Sequence, residues 1–273
     1  MRIAFLGTPE FALPSLAALY DAGHDLLAVT QPDRPVGRRA VLTPPPVKVW
    51  AEARGIPVLQ FEKIRAAEGV AALKSFAPEL MVTAAFGQLL SRENLAIAPL
   101  GTVNVHGSLL PKYRGASPIQ WAIINGETAT GITTMQTDIG MDTGDILLQK
   151  RLAIGEDETY GALSERLAVL GAETLTETLE LLAAGKLVRT PQNDADATVC
   201  RLLTKEHGRL RFDVPARNVH NLVRGTNPWP GAWAMLNGSP LKIWNSRAGA
   251  GVRRSGQIGT LSGSSKDGLF VQC

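Results

Sequence analysis

The chain has 273 residues, 45% of them hydrophobic, and a formal net charge of +3; this is an ordinary globular composition, too long for one small core, so two domains are expected. No run of about 18 apolar residues exists, which excludes a helical membrane span, and Arg2 followed at once by Ile-Ala-Phe-Leu-Gly leaves no room for a signal peptide, so the folded domain is expected to begin at Met1. Cys200 and Cys273 are too few and too scattered for a metal site or a disulfide framework, and a reducing cytoplasm fits them best.

Arg2–Leu6 reads as a short apolar strand closed by Gly7-Thr8-Pro9. Phe11–Tyr20 carries helical apolar spacing, with Pro14 tolerable only in the first turn. Gly23 ends that helix and Leu26–Val29 makes a second strand, so the opening is a parallel crossover unit. Gly7 stands alone, and without G-x-G-x-x-G a dinucleotide fingerprint is not supported. Residues 31–46 read as a long loop, stiffened by five prolines and charged by Arg34, Arg38 and Arg39; such loops are usually functional or disordered. A helix over Val47–Arg54, a minimal strand at Val58–Leu59, a helix over Ala67–Phe76 and a strong strand at Leu80–Ala84 follow.

The next strand, Leu100–Val105, runs into Asn104-Val-His-Gly-Ser-Leu-Leu-Pro111. Asn104 and His106 lie two residues apart and so point to one face. One is a neutral hydrogen-bonding amide; the other can carry a proton near neutral pH. The loop Asp138-Ile-Gly-Met-Asp142-Thr-Gly-Asp145 brings carboxylates about thirty residues later. Amide, imidazole and carboxylate together suit acyl transfer, in which one holds an oxyanion, one moves a proton and one orients the imidazole. Taken singly, His106 also suits a structural role, and all three aspartates suit loop shaping.

Ala116–Ile124 reads as a helix, Gly131–Gln136 and Ile146–Lys150 as strands, and Thr159–Ala184 as a long amphipathic helix with Gly171 a candidate interruption. To this point the pattern is a doubly wound α/β sheet, whose ligands bind beyond the carboxyl ends of the strands. Both the Asn104/His106 pair and the 138–145 loop are expected at that edge. Residues 186–204 form a polar linker without periodicity. Residues 201–273 then hold 11 Lys+Arg against 3 Asp+Glu, a net +8, leaving −5 for residues 1–200. That asymmetry suggests an anionic partner, with nucleic acid the first candidate. A helix at Asp213–Gly225, short strands at Gly231–Leu236, Leu241–Trp244 and Leu269–Val271, and an Asn237-Gly238 hairpin turn fit a small oligonucleotide-binding-type barrel. Trp229, Trp233 and Trp244 suit base stacking, but packed core positions are preferred.

With these residues assembled, the chain resembles the folate-dependent formyltransferase superfamily and, within it, the methionyl-tRNA formyltransferase family. The likeness runs nearly end to end, through Gly-Thr-Pro-Glu-Phe-Ala at 7–12, Gln-Pro-Asp-Arg-Pro at 31–35, Pro-Val-Lys at 46–48 and the stretch at 104–111. It continues through Arg-Gly-Ala-Ser-Pro-Ile-Gln at 114–120, the aspartate loop at 138–145 and Asn-Pro-Trp-Pro at 227–230. The resemblance implies a Rossmann-like catalytic domain over 1–185 with a mostly parallel sheet, the linker 186–204, and a tRNA-binding β-barrel domain over 205–273. Family members usually run on for roughly forty residues past the point matching Cys273, so the barrel is expected to be incomplete and to leave an open edge. The implied reaction moves the formyl group of 10-formyltetrahydrofolate to the α-amino group of methionyl initiator tRNA. The resemblance assigns catalysis to Asn104, His106 and Asp142, the latter preferred over Asp138 and Asp145. It assigns folate binding to Ser108, Leu109, Leu110 and Pro111, with the 80–85 strand and the 138–142 loop completing the pocket. It assigns tRNA contact to Arg34, Arg38 and Arg39, although relatives follow with lysines where this chain has Ala40-Val41. No metal and no membrane are implied, and a cytoplasmic monomer is expected. The rival readings are a formyltransferase acting on glycinamide ribonucleotide or an amino sugar, and a non-catalytic RNA-binding protein.

Overall fold

The computed structural model describes residues 1–37, 39–249, 257–266 and 268–273. Its strands are β1 (Arg2–Gly7), β2 (Asp25–Thr30), β3 (Arg34–Val36), β4 (Val41–Thr43), β5 (Val58–Gln60), β6 (Leu80–Ala84), β7 (Thr102–His106), β8 (Arg114–Gly115), β9 (Ala129–Gln136), β10 (Ile146–Ala153), β11 (Val199–Cys200), β12 (Ala232–Leu236), β13 (Ser239–Ile243), β14 (Leu261–Ser265) and β15 (Gly268–Val271). Its helices are α1 (Leu13–Asp21), α2 (Pro46–Glu52), α3 (Ala67–Phe76), α4 (Arg92–Leu95), α5 (Pro118–Ile124), α6 (Tyr160–Ala183) and α7 (Ala216–Gly225).

Seven strands form one sheet in the order β10-β9-β7-β6-β1-β2-β5. The run from β5 to β7 is parallel, and β9 is antiparallel to β7. Parallel strands covered on both faces need continuous apolar sequence, and β1 and β6 supply it, every residue but Arg2 being buried. The strand order reverses between β1 and β6, the kind of position at which open α/β sheets bind their ligands beyond the carboxyl ends of the strands. Gly7 fits the approach: an added Cβ would lie 2.7 Å from the Phe5 ring and 3.1 Å from the Ala84 carbonyl oxygen.

On one face Ala4, Leu6, Leu27, Val29 and Met81 pack with Leu73 of α3, Ile64 and Phe86. On the other face α6 passes so close at Gly171 that a Cβ there would meet Val105 of β7 at 3.1 Å. This close packing keeps a glycine inside a helix that runs unbroken through it, so the candidate interruption at Gly171 does not occur. Thr178 of α6 and Thr134 of β9 share a hydroxyl–hydroxyl bond of 2.7 Å on the same side. Residue pairing puts Thr83 of β6 beside Asn104 of β7, in step with Leu6 and Met81. Asn104 and His106 therefore belong to the α3 side, while Val105 belongs to the α6 side.

Residues 31–46 are not a structureless loop. Val36 pairs with Val41 and Arg34 with Thr43, making a hairpin of β3 and β4, and Gly37 (φ +72°) and Ala40 (φ +48°) shape its turn. Pro35 sits inside β3 opposite Leu42, while Pro32, Pro44 and Pro45 flank the hairpin and Pro46 opens α2. Its root is a polar lattice. Lys48 donates to both oxygens of Asp33 and to Gln60 Oε1, and Gln60 Nε2 donates to Asp33, Thr30 and the Gln31 carbonyl.

By contacts the chain divides into two compact units: 1–114 with 131–152 and 165–199, and 115–130 with 153–164 and 200–273. In the second unit, Leu210, Val219, Val223 and Ala232 form a small core. Arg224 is buried in α7 and donates to Asn221 Oδ1 and to the carbonyls of Gly155 and Glu158; burial pushes its pKa down. The β-rich part consists of two antiparallel hairpins, β12–β13 and β14–β15, separate two-stranded sheets among the described residues. Asn237 and Gly238 take positive φ (49° and 80°), the pattern of a primed hairpin turn. The tryptophans do not fill the core as expected. Trp229 is 48% and Trp244 53% exposed. Trp233, in strand register with Lys242, donates to the Lys205 carbonyl. The alternate positions, Ala232, Ala234 and Ile243, face inward instead.

Candidate active site

Asn104 and His106 end β7 on the same face, as their spacing requires. Thr83 donates its hydroxyl hydrogen to Asn104 Oδ1 at 2.8 Å, because β6 and β7 set the two residues side by side. That bond fixes the amide: the oxygen is taken, and Nδ2 has no acceptor among the described residues. His106 is buried, and its Nε2 lies 2.9 Å from the Tyr113 carbonyl oxygen. A carbonyl only accepts, so Nε2 carries a hydrogen and Nδ1 is left to face the other way. There, at 3.6 Å, stands Asp142 Oδ2, its side chain 20% exposed. The separation is just beyond hydrogen-bonding range.

The loop that brings Asp142 there does not start from the carboxyl edge. Because β9 is antiparallel to β7, its last residue, Gln136, pairs with Val103, and Thr137 N donates to the Thr102 carbonyl at the amino end of β7. The chain must double back along the sheet to reach His106. Asp138 shapes that return: its carboxylate accepts from Gly140 N and from the Thr143 hydroxyl. A Cβ at Gly144 would run into the Gln136 carbonyl oxygen, so only glycine closes the loop. Asp142 itself takes a left-handed φ of +53°, a conformation Asp tolerates better than most residues. Of the three aspartates, Asp138 is committed to the loop, and Asp142 is the one that meets His106.

Ser108, Leu109, Leu110 and Pro111 turn immediately after β7. Ser108 Oγ donates to the Lys112 carbonyl, Leu110 N to Thr133 Oγ1, and the Leu110 carbonyl accepts from Gln149 Nε2. The carbonyls of Ser108, Leu109 and Pro111 accept from Thr133, Lys112 and Thr198. The turn is thus braced by its own hydrogen bonds, with Leu109 against Gly131. Arg34 and Arg39 are exposed on the β3–β4 hairpin, beside the exposed Val36, Val41 and Leu42; Arg34 pairs with Glu62 at 2.7 Å. Arg38 lies outside the described residues. Among the described residues no group of three or more His, Cys, Asp or Glu is placed to hold a metal ion, and no helix is long and apolar enough to cross a membrane.

Sequence reasoning missed Thr83 and Tyr113, which orient the amide and the imidazole. A threonine within the apolar run Leu80–Ala84 was a usable signal; Tyr113 acts through its carbonyl, which no residue type betrays.

Residues 1–179 match the family model described as Formyl transferase, and residues 202–273 match Formyl transferase, C-terminal domain. The chain belongs to the formyl transferase family. Solved structures of similar fold include a sugar N-formyltransferase from Shewanella (TM-score 0.70, 19% identity, covering 91% of this chain and 98% of that one). Another is the N-formyltransferase from Helicobacter canadensis in complex with folinic acid and dTDP-3-aminofucose (TM-score 0.69, 19% identity, 89% and 86% covered). Within the family the chain falls among the methionyl-tRNA formyltransferases. It is 52% identical over 275 residues to the methionyl-tRNA formyltransferase of Anaeromyxobacter dehalogenans, covering 100% of this chain and 88% of that protein. It is 50% identical over 274 residues to that of Geotalea daltonii, covering 100% and 87%.

Proposed function

We propose that this chain transfers the formyl group of 10-formyltetrahydrofolate to the α-amino group of methionyl initiator tRNA, with Asn104, His106 and Asp142 as the catalytic residues. The observation that carries the chemistry is the convergence of three groups on one face of β7. These are an amide whose donor is uncommitted among the described residues, an imidazole anchored through Nε2, and a carboxylate 3.6 Å from Nδ1. The names of relatives about half identical over the whole chain support the tRNA acceptor. A fold neighbour solved with folinic acid supports a folate-class donor.

The amine nitrogen attacks the formyl carbon, forming the new C–N bond and an oxyanion. Asn104 Nδ2 donates to that oxyanion. As the tetrahedral centre collapses, the bond from carbon to N10 of the folate breaks. The proton lost by the amine passes through the His106–Asp142 pair and a bound water to N10. Losing one preorganised oxyanion donor costs about 3–4 kcal/mol, or about 10²–10³ in rate. Ser108–Pro111 and the 138–142 loop bound the folate site, and Arg34, Arg38 and Arg39 contact tRNA phosphate. The protein acts as a cytoplasmic monomer, with catalysis in 1–185 and tRNA binding in 205–273.

The test is purified-component formylation with three acceptors: charged initiator tRNA, glycinamide ribonucleotide and an amino-sugar nucleotide. Transfer is expected to the tRNA alone, and Asn104→Ala and Asp142→Ala should each lower turnover at least about a hundredfold with the fold intact by circular dichroism. Near-wild-type rates would remove those residues from the mechanism, and tRNA binding without any turnover would favour an RNA-binding role.

A further inference from the structure

Both groups that hold His106 are themselves held by one stretch of chain that the sequence presents as a featureless linker. Thr190 pairs with Ile146 in both directions, which docks the stretch beside the end of the aspartate loop. Two residues on, Gln192 Nε2 donates to the Asp142 carbonyl and to the Gly144 carbonyl, each at 2.8 Å. One amide group thus pins the backbone of Asp142 itself. Gln192 Oε1 in turn accepts from Arg114 Nε at 2.9 Å, while Arg114 Nη2 reaches Asp194 at 2.8 Å. The Arg114 side chain is only 8% exposed, so its guanidinium acts as a fixed bracket rather than a mobile surface charge. Asn193 caps the short turn that follows, accepting from Ala195 N. Further along, Thr198 Oγ1 accepts from Tyr113 N, the Thr198 carbonyl accepts from Arg114 N, and Thr198 N donates to the Pro111 carbonyl. Tyr113 supplies the carbonyl that receives His106 Nε2.

We propose that residues 190–198 are a positioning strap, in which Gln192, held by Arg114, sets Asp142 against His106 Nδ1 while Thr198 sets the Tyr113 carbonyl against Nε2. The inference rests on the catalytic reading of the site given above and adds to it the residues that place the imidazole and the carboxylate. Asp142 needs such help. It sits on a loop that doubles back along the sheet, in a left-handed conformation, with a 3.6 Å gap to close. A displacement of about 1 Å at a reacting centre can cost on the order of a hundredfold in rate.

The test is a double-mutant cycle with Gln192→Ala and Asp142→Ala, read by kcat and KM for both substrates. A residue that works through Asp142 matters only while Asp142 is present. Gln192→Ala should lower kcat about tenfold or more in the wild-type background, leave both KM values within about twofold, and change kcat less than about twofold in Asp142→Ala. Equal losses in the two backgrounds, or no loss in either, would overturn the strap. Hydrogen exchange gives a readout independent of turnover: in Gln192→Ala the amides of 138–145 should exchange faster than in the wild type, and unchanged exchange also overturns it. A wild-type chain that forms no formyl-methionyl-tRNA would count against the catalytic reading, while the exchange comparison would still decide the strap.

Discussion

At the residue scale, the site depends on which way one amide faces. Asn104 can present donors to a developing oxyanion only if its oxygen is occupied elsewhere, and the Thr83 hydroxyl occupies it. Removing that hydroxyl frees the amide to turn its acceptor outward, where it would repel an oxyanion. Thr83→Val is therefore expected to lower kcat by about tenfold with little change in KM, and Thr83→Ser, which keeps the donor, to restore most of it. Steady-state kinetics on the two variants check this; equal activity in Val and Ser would mean that the hydroxyl does not set the amide.

At the element scale, the β3–β4 hairpin is a projecting ribbon with exposed apolar and basic side chains and a polar root. Arg34 is already paired with Glu62, though both are well exposed, and such a surface pair is worth little. If the hairpin contacts phosphate, Arg39→Ala should raise the KM for tRNA and reduce the slope of log affinity against log salt by about one unit, as one fewer counterion is released. An unchanged slope in filter-binding titrations would remove Arg39 from the phosphate contact. The root behaves differently. Hydrogen bonds from Gln60, and then Lys48, hold the Asp33 carboxyl below its ordinary value. A carboxyl depressed in the folded state stabilises it at pH values above the unfolded pKa, and the contribution is lost as pH falls through the folded one. Thermal melts of Asp33→Asn should therefore show a smaller fall in Tm than the wild type between about pH 6 and about pH 3. Parallel curves would mean that the lattice does not favour the charged form.

At the scale of the whole molecule, the main sheet strands and the shared face of Asn104 and His106 are legible in the sequence, and the contacts that brace them are not. The strands β1, β2, β6 and β7 are apolar runs bounded by Gly or Pro, so periodicity and punctuation located them, and the i, i+2 spacing put Asn104 and His106 on one face. The β3–β4 hairpin was hidden because its prolines suggested a loop, while among the described residues of its turn Gly37 and Ala40 take positive φ. The doubled-back aspartate loop was hidden for a topological reason: nothing in Gly131–Gln136 tells whether that strand runs parallel or antiparallel to its neighbour. The exposed Trp229 and Trp244 were misplaced in the core because residue type alone does not reveal which face of a hairpin the small alanines occupy. Gln192 and Thr198 carried no signal, since their partners are mostly backbone carbonyls and amides distant in sequence.

The central claim is that this pocket moves a formyl group onto a charged initiator tRNA, with Asp142 completing the catalytic set. The most direct measurement is a single-turnover reaction of the 273-residue chain with methionyl initiator tRNA and 10-formyltetrahydrofolate, run beside Asp142→Ala. The account expects formyl-methionyl-tRNA from the wild type and a rate at least about a hundredfold lower from the variant. No transfer by the wild type, or equal rates from the two, would contradict it.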